Sequence, residues 1–306
     1  MNNTKEKVVV TGGAGFIGSH LVRALVAEGY DVHVIDNYAG GRFPERVTHE
    51  ATYHEGDIRD TDLLKNVFEG ATYVFHTAAL PRVQFSLEHP VPTHEVNVSG
   101  TLSVLEASRK AGVQRLVYSA SSSAYGVQAN LPLIEDMEAR PMSPYALQKY
   151  MGEQYCRLYA EIFGLPTVSL RYFNVYGPDA DPNGPYALVV SKFIQQRLDG
   201  TPLTIAGDGS NTRDYTHVRD IVAGNILAAT ADGVGRGEVC NLGGGHNVSV
   251  LRVAELVGGE IVHVEPRMEP KDTLADTGKA RKLLGWEPTV SFEQGVEELK
   301  NLAGIA

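Results

Sequence analysis

The apolar run Val8-Val9-Val10 leads directly into Thr11-Gly12-Gly13-Ala14-Gly15-Phe16-Ile17-Gly18, and an amphipathic stretch starts within that segment. A strand, a glycine turn and a helix in immediate succession leave few choices of fold. The helix must cross back over the strand, which is the opening of a parallel β-α-β unit. Gly12, Gly15 and Gly18 are spaced Gly-x-x-Gly-x-x-Gly, one residue wider at the start than the usual dinucleotide fingerprint. Such spacing lets the backbone approach a pyrophosphate at the helix N-terminus. Glycines that merely tighten a strand-to-helix turn would look similar, so the context has to decide. Asp36 ends the next apolar run, Val32-His33-Val34-Ile35, where a carboxylate can accept hydrogen bonds from an adenosine ribose. The same acid repels a 2′-phosphate and favours NAD over NADP. Arg42, after Gly40-Gly41, pulls the other way. Candidate cofactor contacts here are Gly12, Gly15, Phe16, Ile17, Gly18, Asp36 and Asn37.

Apolar runs recur at Tyr73-Val74-Phe75, Leu116-Val117-Tyr118 and Thr167-Val168-Ser169-Leu170. Helical patterns lie between them at about 16–28, 61–69, 93–111 and 145–163. This alternation predicts an α/β fold with a doubly wound parallel sheet, the Rossmann arrangement. Asp57-Ile58, following a third strand, suits either an adenine contact or an ordinary strand-end turn. After residue 174 the pattern shortens, and the turn-rich Gly177-Pro178 and Asp181-Pro182-Asn183-Gly184-Pro185 mark a junction. The expected division is a cofactor-binding domain over 1–173, to which 212–242 returns, and a smaller C-terminal α/β substrate lobe over 174–306.

The net charge of −10 argues against nucleic acid or an anionic membrane as a partner, while leaving room for an anionic small molecule. Two cysteines, Cys156 and Cys240, cannot build a disulfide framework or a cysteine-rich zinc site. The histidines are dispersed, and His76 and His217 sit in strand-like segments where a structural role is expected, so no metal is indicated. The first residues lack the apolar core of a signal peptide, and no run is long enough to span a bilayer. A cytoplasmic protein is the expectation.

Tyr145 and Lys149 stand four apart in Ser143-Pro144-Tyr145-Ala146-Leu147-Gln148-Lys149 and therefore share one helix face. An ammonium near a phenol favours the phenolate. A tyrosine that works as a base near neutrality must come down by about 3 pH units from its ordinary value. Ser143 suits the cap of that helix and Pro144 its first turn.

With these elements in place, the chain resembles the extended short-chain dehydrogenases/reductases, in their NAD-dependent sugar-nucleotide epimerase/dehydratase branch. The resemblance rests on TGGAGFIGSHL (11–21), GDIRD (56–60), HTAAL (76–80), YSASSSAYG (118–126), SPYALQK (143–149), LRYFNVYGP (170–178) and TRDYTHVRD (212–220). It implies that Tyr145 is the catalytic base, that Lys149 binds the nicotinamide ribose and lowers the tyrosine pKa, and that Ser121 is the active-site hydroxyl, with Ser122 beside it. It places Ala78, Ala79, Asn97 and Tyr172 at the NAD site, Asn174 at the sugar and Arg213 on the substrate diphosphate. Arg267 is a candidate second diphosphate ligand, and Thr273 a candidate gate beside the sugar C2 group. The residues themselves allow plainer roles: Asn97 as a helix cap, Arg213 as a partner of Asp214 or Asp220, the serines as a polar loop.

The resemblance also separates reactions. Dehydratases of the branch carry Asp-Glu immediately after the active-site hydroxyl residue, and its UDP-glucuronate decarboxylases carry Glu at the second of those positions. This chain has Ser122 and Ser123. Hydroxyls do not replace a carboxyl pair in acid–base elimination. Asp181 stands where uronate epimerases tend to have arginine, which disfavours a uronic acid. The implied activity is therefore 4-epimerisation of a UDP-hexose, UDP-glucose and UDP-galactose first, by a homodimer joined through the helices at 93–111 and 145–163; a UDP-glucuronate 4-epimerase or another NAD-dependent sugar-nucleotide oxidoreductase is the alternative, and Tyr145, Lys149 and Ser121 argue against a non-catalytic NAD sensor.

Overall fold

The computed structural model describes residues 5–182, 188–265 and 271–305. Seven parallel strands form the main sheet: β1 (Lys7–Thr11), β2 (Asp31–Asp36), β3 (Thr52–Glu55), β4 (Tyr73–His76), β5 (Arg115–Ser121), β6 (Thr167–Tyr172) and, much later in the chain, Arg236–Leu242. Their spatial order is β3-β2-β1-β4-β5-β6 followed by the late strand. The order reverses between β1 and β4, so the crevice for a ligand opens above their C-terminal ends, at the switch point of the doubly wound sheet.

Both sheet faces are covered, which is why the strands read as continuous apolar runs. Val8 and Val10 pack on one side with Leu21, Val22 and Leu25 of helix α1 (Phe16–Ala27) and with Ile221 and Ala228 of the helix Val218–Thr230. Val9 points to the other side. It joins Leu64 and Phe68 of α2 (Thr61–Phe68), Val104 and Leu105 of Thr101–Ala111, and Cys156 and Tyr159 of Pro144–Phe163. The period-2 alternation of the strands thus sorts one apolar run into two cores.

The remaining elements form a smaller lobe around Tyr176, Phe193, Leu203, Ile205, Val253 and Phe292. Strand Leu203–Ala206 pairs in parallel with Ile261–Val264, and Thr212–Asp214 pairs antiparallel with Asn247–Ser249. Helix Val218–Thr230 and strand Arg236–Leu242 return to the main sheet, the strand pairing with β6 from Thr167↔Arg236 to Tyr172↔Leu242. Helices Val189–Leu198, Val250–Val257 and Phe292–Ala303 surround the lobe.

The helical pattern at 93–111 is not one regular helix. It comprises Pro90–His94, a π-helical turn over Glu95–Gly100, and Thr101–Ala111, which ends at Gly112 in a left-handed conformation. The helix Pro144–Phe163 starts as the sequence suggests. The Ser143 hydroxyl accepts from the Ala146 amide at 3.1 Å, and Gly164, at φ +68°, ends it.

That helix is pinned to the sheet by a buried ion pair. Arg171 on β6 donates through Nε and NH2 to the Glu153 carboxylate, at 2.8 and 2.7 Å, with both side chains almost fully enclosed. NH1 reaches the Glu135 carbonyl at 3.3 Å, and the guanidinium stacks 4.5 Å from the Tyr125 ring centroid. Arg171→Met alone strands a buried carboxylate and is expected to cost about 3–5 kcal/mol. Adding Glu153→Leu should recover most of that loss. Urea unfolding of the single and double variants measures both.

Candidate active site

The glycine loop and the segment after β4 lie against each other. A Cβ on Gly12 would come within 2.6 Å of the Ala78 amide, and one on Gly18 would collide with the Gly12 carbonyl, so neither position tolerates a side chain. Gly15 stands at the N-cap of α1, which no side chain caps, leaving the first amides of that helix for an anion. Asp36 holds the loop from β2: its carboxylate accepts from the Ala14 amide at 2.9 Å and the Tyr38 amide at 2.8 Å. These features fit a dinucleotide pyrophosphate over the loop.

Around the adenosine end, Asn37 donates to Asp57 at 3.1 Å, and Asp57 receives Arg59 through Nε and NH2 at 2.8 and 2.9 Å. The Arg59 guanidinium keeps the Asp57 carboxyl below the usual carboxylate range. Ile58 is buried in the core beneath Gly100, so its side chain serves packing. Arg42 pairs with Glu55 and stacks 3.9 Å from the Tyr38 ring centroid. Its charge is matched by an acid of the protein, which removes the main argument for NADP.

A hydrogen-bond chain runs beneath the crevice. Thr101 donates to the Asn97 carbonyl at 2.7 Å, so its oxygen accepts from His76 Nε2 at 2.9 Å. His76 Nδ1 then accepts from the Thr11 hydroxyl at 2.7 Å. The partners fix the neutral tautomer, and burial together with the Lys149 charge brings the His76 pKa down to about 3. Asn97 is itself buried. Its side chain accepts from the Leu80 amide at 2.8 Å and donates to the Leu80 carbonyl and to Gln148 at 3.1 and 2.9 Å. It therefore positions the segment carrying Ala78 and Ala79, with its whole amide engaged inside the protein.

Tyr145 and Ser121 lie close together, and the Ser121 hydroxyl acts to lower the phenol's pKa. Ser121 also lies 2.8 Å from the Ser123 hydroxyl and caps the short 3-10 turn that includes Ser122. Ser86, which the sequence analysis did not single out, accepts from the Tyr145 amide at 3.0 Å and so seats the start of the helix. Lys149 is buried one turn on, with Nζ 4.5 Å from the Tyr118 ring centroid.

The electrostatics differ from the sequence expectation. Burial pushes the Tyr145 phenol up, partly offset by the Ser121 hydroxyl, and burial brings the Lys149 ammonium down to about 7. In the chain by itself, the loss of water outweighs any help the ammonium gives the phenolate. Tyr172 also differs. Its hydroxyl meets Ser119 at 3.0 Å and Asn225 at 2.9 Å, inside the core, so only its backbone is left to serve the cofactor crevice.

Beyond β6 the lobe encloses a cavity of about 230 Å³ lined by Asn174, Lys192, Thr204, Asn211, Arg213 and Tyr215, among others. Asn174, at φ +29°, donates to the Asp214 carbonyl at 2.8 Å. Arg213 donates to the carbonyls of Thr212 and Lys271 at 2.8 and 3.0 Å. Asp214 is buried and accepts from Gly244, Gly245 and Ala275, tying three loops behind the cavity. The Thr273 hydroxyl accepts from the Asp214 amide at 3.2 Å. Arg267 lies outside the described residues. Lys192 and Asn211 carried no sequence signal, because they enter the site only through the lobe's tertiary packing.

A crevice with a glycine cradle, a paired Tyr145 and Ser121, and a buried Lys149 matches known proteins. Residues 8–243 fit the model of the NAD dependent epimerase/dehydratase family. The chain belongs to this family. The UDP-glucose 4-epimerase of Thermotoga maritima, solved with UDP-glucose, is 38% identical over 95% of this chain and 96% of its own, with a TM-score of 0.91. The UDP-N-acetylglucosamine 4-epimerase of Methanobrevibacter ruminantium M1, solved with UDP-N-acetylmuramic acid, is 34% identical over 98% and 99%, with a TM-score of 0.92. The UDP-glucuronic acid 4-epimerase of Bacillus cereus, solved with UDP-glucuronic acid and NAD, is 33% identical over 97% and 99%, with a TM-score of 0.88. The chain is thus an NAD-dependent enzyme of the epimerase type. Among its described residues, no helix is long and apolar enough to cross a membrane.

The depressed Lys149 pKa has a signed consequence for the cofactor-free protein. Between about 7 and the ordinary lysine value, the unfolded chain holds a proton that the folded chain lacks, so stability rises with pH across that window. The slope approaches about 1.4 kcal/mol per pH unit for this one group. Lys149→Met should therefore be more stable than wild type at pH 7, with the gap narrower at pH 9 and closed only near the ordinary lysine value. Denaturant midpoints of both proteins at the two pH values check this.

Proposed function

We propose that this enzyme is a UDP-hexose 4-epimerase that interconverts UDP-glucose and UDP-galactose and accepts the N-acetylated forms. The observation that carries this reading is the make-up of the reacting corner. Tyr145, Ser121 and Ser123 supply a phenol and two linked hydroxyls, and no carboxyl group occurs between residues 118 and 126. Bound NAD would accept a hydride from the sugar and return it.

Each protein group has a corresponding task. Tyr145 takes the proton of the sugar 4-hydroxyl and later gives it back, with Ser121 sharing it. Lys149 holds positive charge beside that exchange and beside the cofactor ribose. With no acid–base pair for elimination, the oxidised sugar has one outlet, which is reduction on either face. Asn174 and Arg213 line the cavity that would hold the nucleotide part, Arg213 as the planar fork suited to a diphosphate. Asn97 and Tyr172 would support the cofactor from beneath, whereas Thr273, whose hydroxyl accepts from the Asp214 amide, would be the gate beside the sugar C2 group.

A uronate is the second reading, favoured by one observation. Asp181, whose charge would repel a substrate carboxylate, is paired with Arg82 at 3.2 Å and so partly neutralised. We further propose a homodimer through the helix Pro144–Phe163, where Leu147, Leu158, Ile162 and Phe163 are exposed along one element. Two buried free cysteines suit a reducing cytoplasm.

The test is a substrate panel without added NAD, using UDP-glucose, UDP-galactose, their N-acetylated forms and UDP-glucuronate. Interconversion of gluco and galacto forms is the expected result. Turnover of the uronate alone, or accumulation of a 4-keto product, would overturn it. Tyr145→Phe should lower kcat by about 10²–10⁴-fold while leaving UDP affinity within about two-fold.

A further inference from the structure

The segment that leaves the short strand Val175–Tyr176 is fastened to three other parts of the chain. His20 Nε2 donates to the Pro178 carbonyl at 2.9 Å, and Arg23, one turn further along α1, reaches the Asp179 carboxylate at 2.8 Å. Arg46, in the 3-10 turn Pro44–Arg46 that follows β2, donates to the Asp179 carbonyl at 2.6 Å. Its guanidinium is buried and stacks 3.9 Å from the Phe43 ring centroid. Two residues on, Asp181 receives Arg82 at 3.2 Å, from the segment that carries Ala78 and Ala79.

These anchors stand on opposite banks of the crevice. Arg23 and Arg46 belong to elements on the β2 side, Arg82 to the segment after β4, and β1 with its glycine loop lies between β2 and β4. Residues 178–181 therefore cross the mouth of the crevice, over the loop that fits a pyrophosphate. Asp179 makes the crossing in a left-handed conformation, φ +63°, which is unfavourable for a residue other than glycine and persists only where the surroundings hold it. His20 and Arg46 hold backbone carbonyls. The ion pair with Arg23 is the hold made through the Asp179 side chain, with His20 Nε2 3.6 Å from the same carboxylate oxygen.

We propose that residues 178–181 form a strap over the dinucleotide, and that the Arg23–Asp179 ion pair is the latch that sets how fast NAD enters and leaves. This needs only the NAD dependence of the family and no particular sugar. Retention matters in an enzyme of the epimerase type, because the hydride that NAD takes up must return to the same substrate. A cofactor lost in mid-cycle would leave an oxidised sugar behind. The pair is closed in the chain by itself, so it holds the strap down with or without NAD. A latch that favours the closed strap equally in both states slows entry and exit together and changes the affinity little.

The experiment follows radiolabelled NAD by rapid filtration, leaving the holoenzyme under excess unlabelled NAD and entering the full chain stripped of cofactor. Asp179→Asn removes the charge and keeps a residue that tolerates the left-handed conformation. Arg23→Gln breaks the pair from the α1 side, at a partly exposed side chain, and carries the test if Asp179→Asn fails to fold. Each should raise both rates about five-fold, with the Kd for NAD within about two-fold. The double variant should be no faster than either single one, because both remove the same interaction. An unchanged unfolding midpoint in saturating NAD establishes that each variant is intact. Wild-type rates in both variants would overturn the proposal. Faster exit with unchanged entry would also overturn it, by assigning Asp179 to the bound state alone, and so would effects that multiply in the double variant.

Discussion

Asn97 ties the glycine loop, the segment after β4 and the Tyr145 helix into one body. Its side chain grips Leu80 through both backbone groups and Gln148 through its amide. Its carbonyl starts the chain through Thr101 and His76 to Thr11, the residue before Gly12. The glycine loop and the helix that carries Tyr145 are therefore positioned by the same residue. The π-helical turn over Glu95–Gly100 makes this possible, because the wider turn places Asn97 inward where a regular helix would rotate it elsewhere. Every polar atom in this network has a partner, as a buried network must if it is to be rigid.

Dryness is the second theme of the crevice. His76 is held neutral, Tyr145 is pushed up and Lys149 is brought down, each with burial as the leading cause. A site that disfavours charge when empty gains most from a ligand that supplies compensating charge and donors. The lobe cavity is the counterpart: an overall acidic protein concentrates Lys192 and Arg213 there, among described lining residues that include no acid. On the proposed reading, one half of the crevice would take the group whose charge changes during reaction and the other the permanent anion of the nucleotide.

Local patterns carried much of the fold in readable form. The glycine spacing, the strand and helix alternation, the Ser143 cap and the Tyr145–Lys149 interval each involve residues a few positions apart, and periodicity reports such contacts well. Contacts that span the chain were a different matter. Asn97 looked like a cap or a cofactor ligand because its partners, Leu80 and Gln148, are distant in sequence. Tyr172 turned toward Asn225, a residue of a helix that returns to the sheet much later. Lys192 and Thr204 face each other only once the lobe has packed. The direction of the Lys149 and Tyr145 shifts escaped the helix-face argument as well, since spacing reports proximity and says nothing of how much water the fold removes.

The late arrival of Arg236–Leu242 in the sheet has a cost during synthesis. Until those residues leave the ribosome, β6, buried at every position in the finished protein, presents an open edge of Val168 and Leu170 with nothing to pair against. At ordinary elongation rates that exposure lasts on the order of ten seconds after β6 emerges. An unpaired apolar strand edge is a template for association between chains. The nascent protein is therefore most vulnerable while its lobe is being made, and a prematurely terminated chain ending before residue 236 would carry that sticky edge permanently.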